Sequence, residues 1–231
     1  SGSITSTVQA NTTAGFSIVT YTGTGSAATV GHGLGVTPKM VITKRRDTTS
    51  FWLVYHASDN ASPQSGYLRL QGTNAFTSDT NIWNNTAPTS SVFSIGTSAD
   101  INASGGTYVA YCFSEVAGFS KFGSYTGNGS SDGPFIYCGF RPRFIITKLV
   151  SGGSTSGVGN WRTRDTARDP YNVSQNILYP NLSDAEVVDN QVDILSNGFK
   201  LRNALAQENP SGGTVIYMAF AENPFKYSVA R

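Results

Sequence analysis

The chain contains one long stretch of sequence twice. YTGTGSAATVGHGLGVTPKMVITKRR at 21–46 returns 104 positions later as YTGNGSSDGPFIYCGFRPRFIITKLV at 125–150, with tyrosine, glycine, proline and lysine at matching places. Farther along, SGGTYVAYCFSE at 104–115 matches SGGTVIYMAFAE at 211–222. The spacing between matching positions changes only slightly along the chain, which is typical of a tandem duplication. The 231 residues are therefore expected to form two related modules.

Both copies have the pattern of β-strands. KMVITK at 39–44 and RFIITK at 143–148 are rich in β-branched residues, and each follows a proline, which is excluded from the interior of a central strand. TYVAYCFSEV at 107–116 and TVIYMAFAEN at 214–223 are long, apolar on both faces and preceded by Gly-rich turns. The sequence predicts an all-β protein of two tandem, internally duplicated β-sandwich modules of jelly-roll or lectin-like type.

The repeat also suggests where the modules begin and end. We expect a flexible lead-in or attachment arm at 1–14, a first module at 15–117 and a second module at 118–231. Helical turns are expected only at LSDAEVVD (182–189) and NALAQE (203–208).

Composition narrows the function classes. The charged fraction is 13%, about half the usual ~25%, and 16 basic against 14 acidic residues leave a net charge of +2. So small a charge argues against nucleic-acid binding. No apolar run is long enough for a membrane span, and the start lacks the features of a signal peptide, so we expect a soluble protein. A basic stretch at 141–168 predicts a solvated face, with weak attraction to anionic polysaccharide or lipid head groups as the alternative.

No residue pattern indicates catalysis, a metal site or a cofactor. His32 and His56 have no metal-type spacing, and no serine stands in a GxSxG motif. The glycines of the 21–46 segment recur in the second copy, which indicates turns rather than a nucleotide-binding loop. Cys138 aligns with Leu34 and Cys112 with Ala219, so buried thiols are expected, while a disulfide between the two cysteines stays open.

Equivalent carboxylates raise the question of a glycosidase. Glu115 and Glu222 end equivalent strands, and a glycosidase needs two carboxylates close together. Equivalent positions of two modules are usually too far apart, so we expect local pairing with Lys44 and Lys148 instead. Asp165, Asp169 and Asp184 lie in the divergent part of the second copy, and their spacing favours none of them as functional.

Loop aromatics beside amide groups are the best candidates for carbohydrate binding. Trp83 and Asn84 lie in DTNIWNNT, outside the matching blocks, and Tyr171 and Tyr179 lie in DPYNVSQNILYPN of the second copy. We take these four residues as a candidate glycan platform, with ordinary loop packing as the alternative. Trp52 and Trp161 occupy matching positions and are expected in the two cores. Function should therefore lie where the copies differ, at 57–90 and 151–190.

The matching blocks also resemble a known family. GFSIVTYTGTGSAATVGHGLGVTPKMVITK, IWNNTAPTSSVFSIG, NWRTRD and AFAENPFK are similar to a domain frequent in marine bacteriophage genomes, usually met at the C-terminal end of predicted tail-fibre or other structural proteins. The resemblance covers 14–227. It implies a virion protein on a tail fibre or capsid surface, assembled in the host cytoplasm and in contact with other virion proteins and with the host. The family supplies no catalytic or ligand residues.

Three functions follow from these observations. The first is a non-enzymatic receptor-binding or fibre-tip module that recognises a host cell-surface polysaccharide or other receptor. The second is a capsid decoration or fibre protein with a structural role, and the third is a polysaccharide depolymerase. A homotrimer is implied by the family context alone, because the sequence has no heptads or collagen repeats that would enforce one.

Overall fold

Strands account for nearly all of the regular structure. The structure is a computed structural model that describes residues 2–223, apart from the side chain of Asn190. A single helical turn, α1 (Ala99–Asn102), and a 3-10 turn at Pro63–Ser65 are the only helical elements among these residues. The strands are, in chain order, β1 (Ser6–Asn11), β2 (Phe16–Thr22), β3 (Ala28–Gly31), β4 (Met40–Arg45), β5 (Trp52–His56), β6 (Gly66–Arg69), β7 (Thr77–Ser78), β8 (Val92–Ile95), β9 (Thr107–Phe113), β10 (Ser120–Thr126), β11 (Phe135–Tyr137), β12 (Pro142–Ser151), β13 (Arg162–Asp165), β14 (Ser174–Ile177), β15 (Val187–Leu195), β16 (Gly198–Leu201) and β17 (Thr214–Ala221).

The strands form two compact units. Unit 1 comprises 1–70 and 76–115, and unit 2 comprises 71–75 and 116–231. Each unit contains one copy of the repeat, and the prediction of an all-β protein with two duplicated sandwich modules is confirmed. Residues 224–231, the end of the expected second module, lie outside the described residues.

Unit 1 contains a seven-stranded and a two-stranded antiparallel sheet. Their strand orders are β1-β2-β9-β4-β5-β6-β7 and β3-β8. Side chains alternate as expected for a strand with one buried face: Val19 and Tyr21 of β2 point into the core, whereas Ile18 is exposed. Phe93 of β8 lies edge-on to the ring of Tyr21, 6.2 Å between centroids, so the two sheets share one core.

Unit 2 contains two four-stranded antiparallel sheets. Their orders are β10-β17-β12-β13 and β11-β16-β15-β14. Phe199 of β16 lies edge-on to Tyr125 of β10 and to Tyr217 of β17, with centroids 6.3 and 5.6 Å away. The core of unit 2 therefore also lies between two sheets.

The repeated YTG motif builds the same turn in both units. In unit 1 the side-chain Oδ1 of Asn102 accepts from the amide of Thr24 at 2.8 Å, and its carbonyl accepts from the amide of Gly25 at 2.8 Å. In unit 2 Asn209 accepts from the amides of Asn128 and Gly129 at 2.9 and 3.0 Å. The motif therefore has a structural role in both units. Comparison of the two copies did not identify Asn102 and Asn209, the buried asparagines that complete the turns.

Two glycines of the motif are required for different reasons. Gly25 has a φ of 75° and Gly129 a φ of 66°, in the left-handed region that favours glycine. A Cβ at Gly23 would lie 2.4 Å from the carbonyl oxygen of Ala103, so only glycine allows this close approach.

The segment expected to be a flexible arm, 1–14, contains a β-strand. Residues 6–11 form β1 and pair with β2 from Ser6 opposite Tyr21 to Asn11 opposite Phe16. The alternating STVQAN sequence supplies backbone amides and carbonyls to the edge of β2, which would otherwise be unpaired. Ser1 lies outside the described residues.

Other local predictions also need correction. Residues 187–189, predicted as part of a helical turn, belong to strand β15. Residues 203–208 form no helix either, but the amide of Asn209 donates to the carbonyl of Leu205 at 2.8 Å, so this segment ends in a hydrogen-bonded turn.

The sequence alignment was also wrong at Cys138. The amide of Cys138 donates to Asn197, just before β16, and the amide of His32 donates to Ser91, just before β8. Cys138 is therefore equivalent to His32, because unit 1 carries two extra residues in the loop that follows. Both cysteines are buried, as predicted, and neither forms a disulfide.

Candidate functional site

Half of the basic residues in the stretch at 141–168 are buried. Lys148, Arg162 and Arg164 are only 1, 5 and 2% exposed, because carbonyl groups and one carboxylate bind them inside unit 2. The prediction of a solvated face was wrong for these three residues, whereas Arg143 is exposed and Arg141 and Arg168 are partly exposed.

Lys148 is held by backbone carbonyls. Its Nζ donates to the carbonyl oxygens of Leu149 at 2.7 Å, Thr73 at 3.2 Å and Gly157 at 3.4 Å. Burial, and after it the positive charge of Arg162, lowers the pKa of Lys148 from 10.5 to about 7. Lys148 does not pair with Glu222 as predicted, because Arg141 binds that carboxylate at 2.6 Å.

Arg164 forms a buried ion pair with Glu208. Both side chains are at most 2% exposed, and the guanidinium reaches both carboxylate oxygens, with the Nη2–Oε2 distance at 3.0 Å. The strand registers and the repeated turns make Arg164 equivalent to Tyr55, and Glu208 equivalent to Ile101. Unit 2 thus has a charged pair where unit 1 has two apolar core residues.

Trp83 is not available to a ligand. Its side chain is 1% exposed and packs edge-on against Tyr55, with centroids 5.9 Å apart. The polar residues around Trp83 in the sequence suggested an exposed loop. In the structure Ile82 and Trp83 both point into the core, whereas Asn84 is exposed. Asn84 has a φ of 51°, and its carbonyl accepts from the hydroxyl of Thr86 at 2.8 Å.

Tyr171 is the most exposed large hydrophobic residue of the described chain, at 84%. It lies on the loop between β13 and β14, which we call the Tyr171 loop (166–173). Val173 beside it is 39% exposed. The loop therefore presents a ring and an aliphatic side chain to solvent.

Hydrogen bonds fix the Tyr171 loop on both sides of the tyrosine. The Oδ2 of Asp169 accepts from the amides of Gln175 and Asn176 at 2.8 and 2.7 Å, and its Oδ1 accepts from the side chain of Asn176 at 2.6 Å. The side chain of Asn172 donates to the carbonyl of Ile194 at 3.0 Å and accepts from the amide of Ile194 at 2.9 Å. The exposed ring is thus carried on a backbone that its neighbours position.

Tyr179 does not share this arrangement. Its ring is half-buried, and the guanidinium carbon of Arg162 lies 5.7 Å from the ring centroid. Tyr171 and Tyr179 lie at opposite ends of β14, so they do not form one platform. Of the four predicted site residues, Tyr171 and Asn84 are exposed, Tyr179 is partly exposed and Trp83 is buried.

The histidines have structural contacts. His32 is buried, its Nε2 lies 3.2 Å from the carbonyl of Thr89, and burial lowers its pKa. The Nδ1 of His56 accepts from the amide of Ser58 at 3.2 Å. Among residues 2–223, no group of three histidine, cysteine, aspartate or glutamate side chains is arranged to hold a metal ion. The described part also contains no helix long and apolar enough to cross a membrane.

Two features of the structure are not evident from the sequence. Asp59 is 1% exposed, and burial raises the pKa of its carboxyl group to about 8, although hydrogen bonds from the backbone of Asn60 and of Asp59 itself oppose this rise. Asn172 fixes the Tyr171 loop through a strand more than twenty residues later. The sequence predicts that the DPYN segment lies in a loop. The hydrogen bonds between Asn172 and Ile194 are visible only in the folded structure.

One family model matches residues 1–224, and its description is Domain of unknown function (DUF7483). No curated protein and no solved structure matches the chain.

Proposed function

We propose that this chain, which belongs to the DUF7483 family, is a non-enzymatic binding module of a bacteriophage virion. Its place is a tail fibre or fibre tip, where it recognises a glycan on the host cell surface. The virion setting is supported by the resemblance of the matching blocks to phage structural proteins. A trimer would multiply weak contacts through avidity.

The observation that carries the binding proposal is the Tyr171 loop. A tyrosine offers a flat apolar face and a hydroxyl, and it loses little conformational entropy on binding because it has two side-chain torsions. Tyr171 is 84% exposed although its loop is fixed by Asp169 and Asn172. An exposed ring on a positioned backbone suits stacking on a sugar ring, since the order that binding needs is already present.

A glycan array tests this proposal with three proteins. The wild type should bind a defined set of bacterial surface glycans, and Tyr171→Ala should lose that signal at least tenfold. Tyr137→Ala is the matched control, because Tyr137 is also an exposed tyrosine of unit 2, at 63%, but lies on β11. Its signal should remain at the wild-type level. Absence of any wild-type binding, or equal loss in both variants, would contradict the proposal.

A further inference from the structure

Unit 1 contains an open cleft that is lined by hydroxyl groups. The cleft has a volume of about 570 Å³ and lies over the ends of β1, β2, β4 and β9. Its walls contain no aspartate or glutamate. The residues that line the cleft include Thr5, Thr7, Thr20, Thr22, Thr107 and Arg46.

The threonines share one face of the sheet because of strand register. Thr7 lies opposite Thr20, and Thr22 lies opposite Thr107. Thr20 and Thr22 are two positions apart on β2, so their side chains point the same way. Paired strands and alternate residues thus arrange the hydroxyls as a grid on a hydrogen-bonded sheet.

These hydroxyls are not used by the protein. Within residues 2–223, the side chains of Thr5, Thr7, Thr20, Thr22 and Thr107 make no hydrogen bond, and all but the half-buried Thr20 are exposed. Each threonine hydroxyl can donate one hydrogen bond and accept two. The grid can therefore exchange hydrogen bonds with a ligand that carries hydroxyls itself.

Arg46 adds a positive charge without a partner. Its amide donates to the carbonyl of Thr107 at 2.8 Å, which places it beside the threonine grid. Its exposed guanidinium has no hydrogen bond or ion pair in the described part of the chain. The neighbouring Asp47 is bound by Arg45, at 2.8 and 3.1 Å, so it does not neutralise Arg46. That contact also lowers the pKa of Asp47 to about 2.

We propose that this cleft binds an acidic sugar unit, with its carboxylate on Arg46 and its hydroxyls on the threonine grid. A guanidinium pairs with a carboxylate through two parallel hydrogen bonds, and hydroxyl groups match the free threonines. The inference rests on the proposed carbohydrate-binding function and names a ligand class, a uronic-acid polysaccharide. It concerns unit 1, whereas the Tyr171 loop belongs to unit 2.

Calorimetric titration with two hexasaccharides tests the inference. One probe is a glucuronic-acid hexasaccharide, and the other is the glucose hexasaccharide with the same linkage. The wild type should bind the acidic probe at least tenfold more tightly than the neutral one. Arg46→Gln should remove that preference, and Arg46→Lys should restore part of it. Failure of the wild type to bind the acidic probe, or unchanged binding by Arg46→Gln, would overturn the inference.

A second variant tests the hydroxyls separately from the charge. Thr22→Val with Thr107→Val keeps the side-chain shape and suits a strand, so the fold should persist, which circular dichroism checks. This variant should weaken binding of the acidic probe at least fivefold, and unchanged binding would contradict the role of the grid. Tyr171→Ala should leave the acidic preference intact. If Tyr171→Ala abolishes glycan-array binding while Arg46→Gln changes nothing, the proposed function stands and the cleft is excluded.

Discussion

Asp59 shows how strongly one buried side chain is affected by its surroundings. It lies near Tyr55, whose pKa is raised to about 12 by burial and then by the charge of Asp59. Burial raises the pKa of Asp59 from 3.8 to about 8, so its carboxyl group is mostly protonated at neutral pH. The folded chain thus holds a proton that the unfolded chain releases between these two pH values.

This proton makes unit 1 sensitive to pH. The contribution of Asp59 to stability should be greatest below about pH 4 and should fall as pH rises to about 8, by roughly 1.4 kcal/mol per pH unit within that window. Asp59→Asn cannot release the proton and should be less sensitive. Amide hydrogen exchange of Val41 and Leu53, both in the unit 1 core, measures the difference. Equal pH dependence in wild type and variant would contradict the account.

Lys148 should produce the opposite trend in unit 2. Its pKa falls from 10.5 to about 7 on folding, so the unfolded chain binds the extra proton between these values. Stability should therefore rise as pH increases from about 7 to 10. Urea unfolding should show this rise in the wild type and a smaller one in Lys148→Met. The pH profiles, rather than the absolute stabilities, decide the outcome, because the variant also removes a hydrogen-bond donor from three carbonyls, of which that of Thr73 keeps another donor, the amide of Gly159.

At the scale of elements, the repeated turn explains why the YTG motif occurs twice. Asn102 is fully buried, and its side chain also donates to the carbonyls of Ser26 and Gly96 at 2.7 and 2.6 Å. It therefore joins the loop between β2 and β3 to the loop between β8 and α1. Asn209 is also fully buried and joins the corresponding segments of unit 2.

Replacement of either asparagine by alanine should destabilise its own unit. Asn102→Ala and Asn209→Ala each remove the partner of several backbone groups that are at least partly buried, at a cost of about 2–5 kcal/mol. Hydrogen exchange resolved by residue should show the loss in unit 1 for the first variant and in unit 2 for the second. An effect below about 0.5 kcal/mol in either would contradict the structural role of the turn.

The elements also show what the sequence could predict. Duplication, alternation and turn glycines were enough to predict two all-β units and the strands β4, β9, β12 and β17. The burial of Trp83 was not predictable, because it depends on packing against Tyr55 of β5, which is distant in sequence. The burial of Lys148 and Arg164 was equally hidden, since carbonyls and a carboxylate distant in sequence compensate their charges. The exposure of Tyr171 agrees with its position in a loop outside the matching blocks of the two copies.

In the molecule as a whole, the two units share one sandwich fold but differ in the side chains that fill their cores. Unit 1 places Tyr55 and Ile101 where unit 2 places Arg164 and Glu208. Replacing a buried ion pair by packed apolar residues is often neutral or stabilising, whereas removing one partner leaves a buried charge. The duplication supplies the apolar side chains that fit this position.

Transfer of the unit 1 residues into unit 2 tests this view. Glu208→Ile alone should destabilise the protein by about 3–5 kcal/mol, because Arg164 would keep its charge without a carboxylate. The double variant Arg164→Tyr with Glu208→Ile should recover most of that loss. Urea unfolding of the four proteins in the cycle gives the coupling energy. Additive effects of the two substitutions would show that the sites are not interchangeable.

The repeated segments build the fold, and we propose that the divergent Tyr171 loop binds glycan. Amide chemical shifts, recorded while an array-selected neutral glycan is titrated into isotope-labelled protein, test it most directly. The account predicts shift changes concentrated at 166–176, with the repeated turns at 23–25 and 127–129 unchanged. Changes concentrated in those turns, or spread evenly over both units, would contradict it.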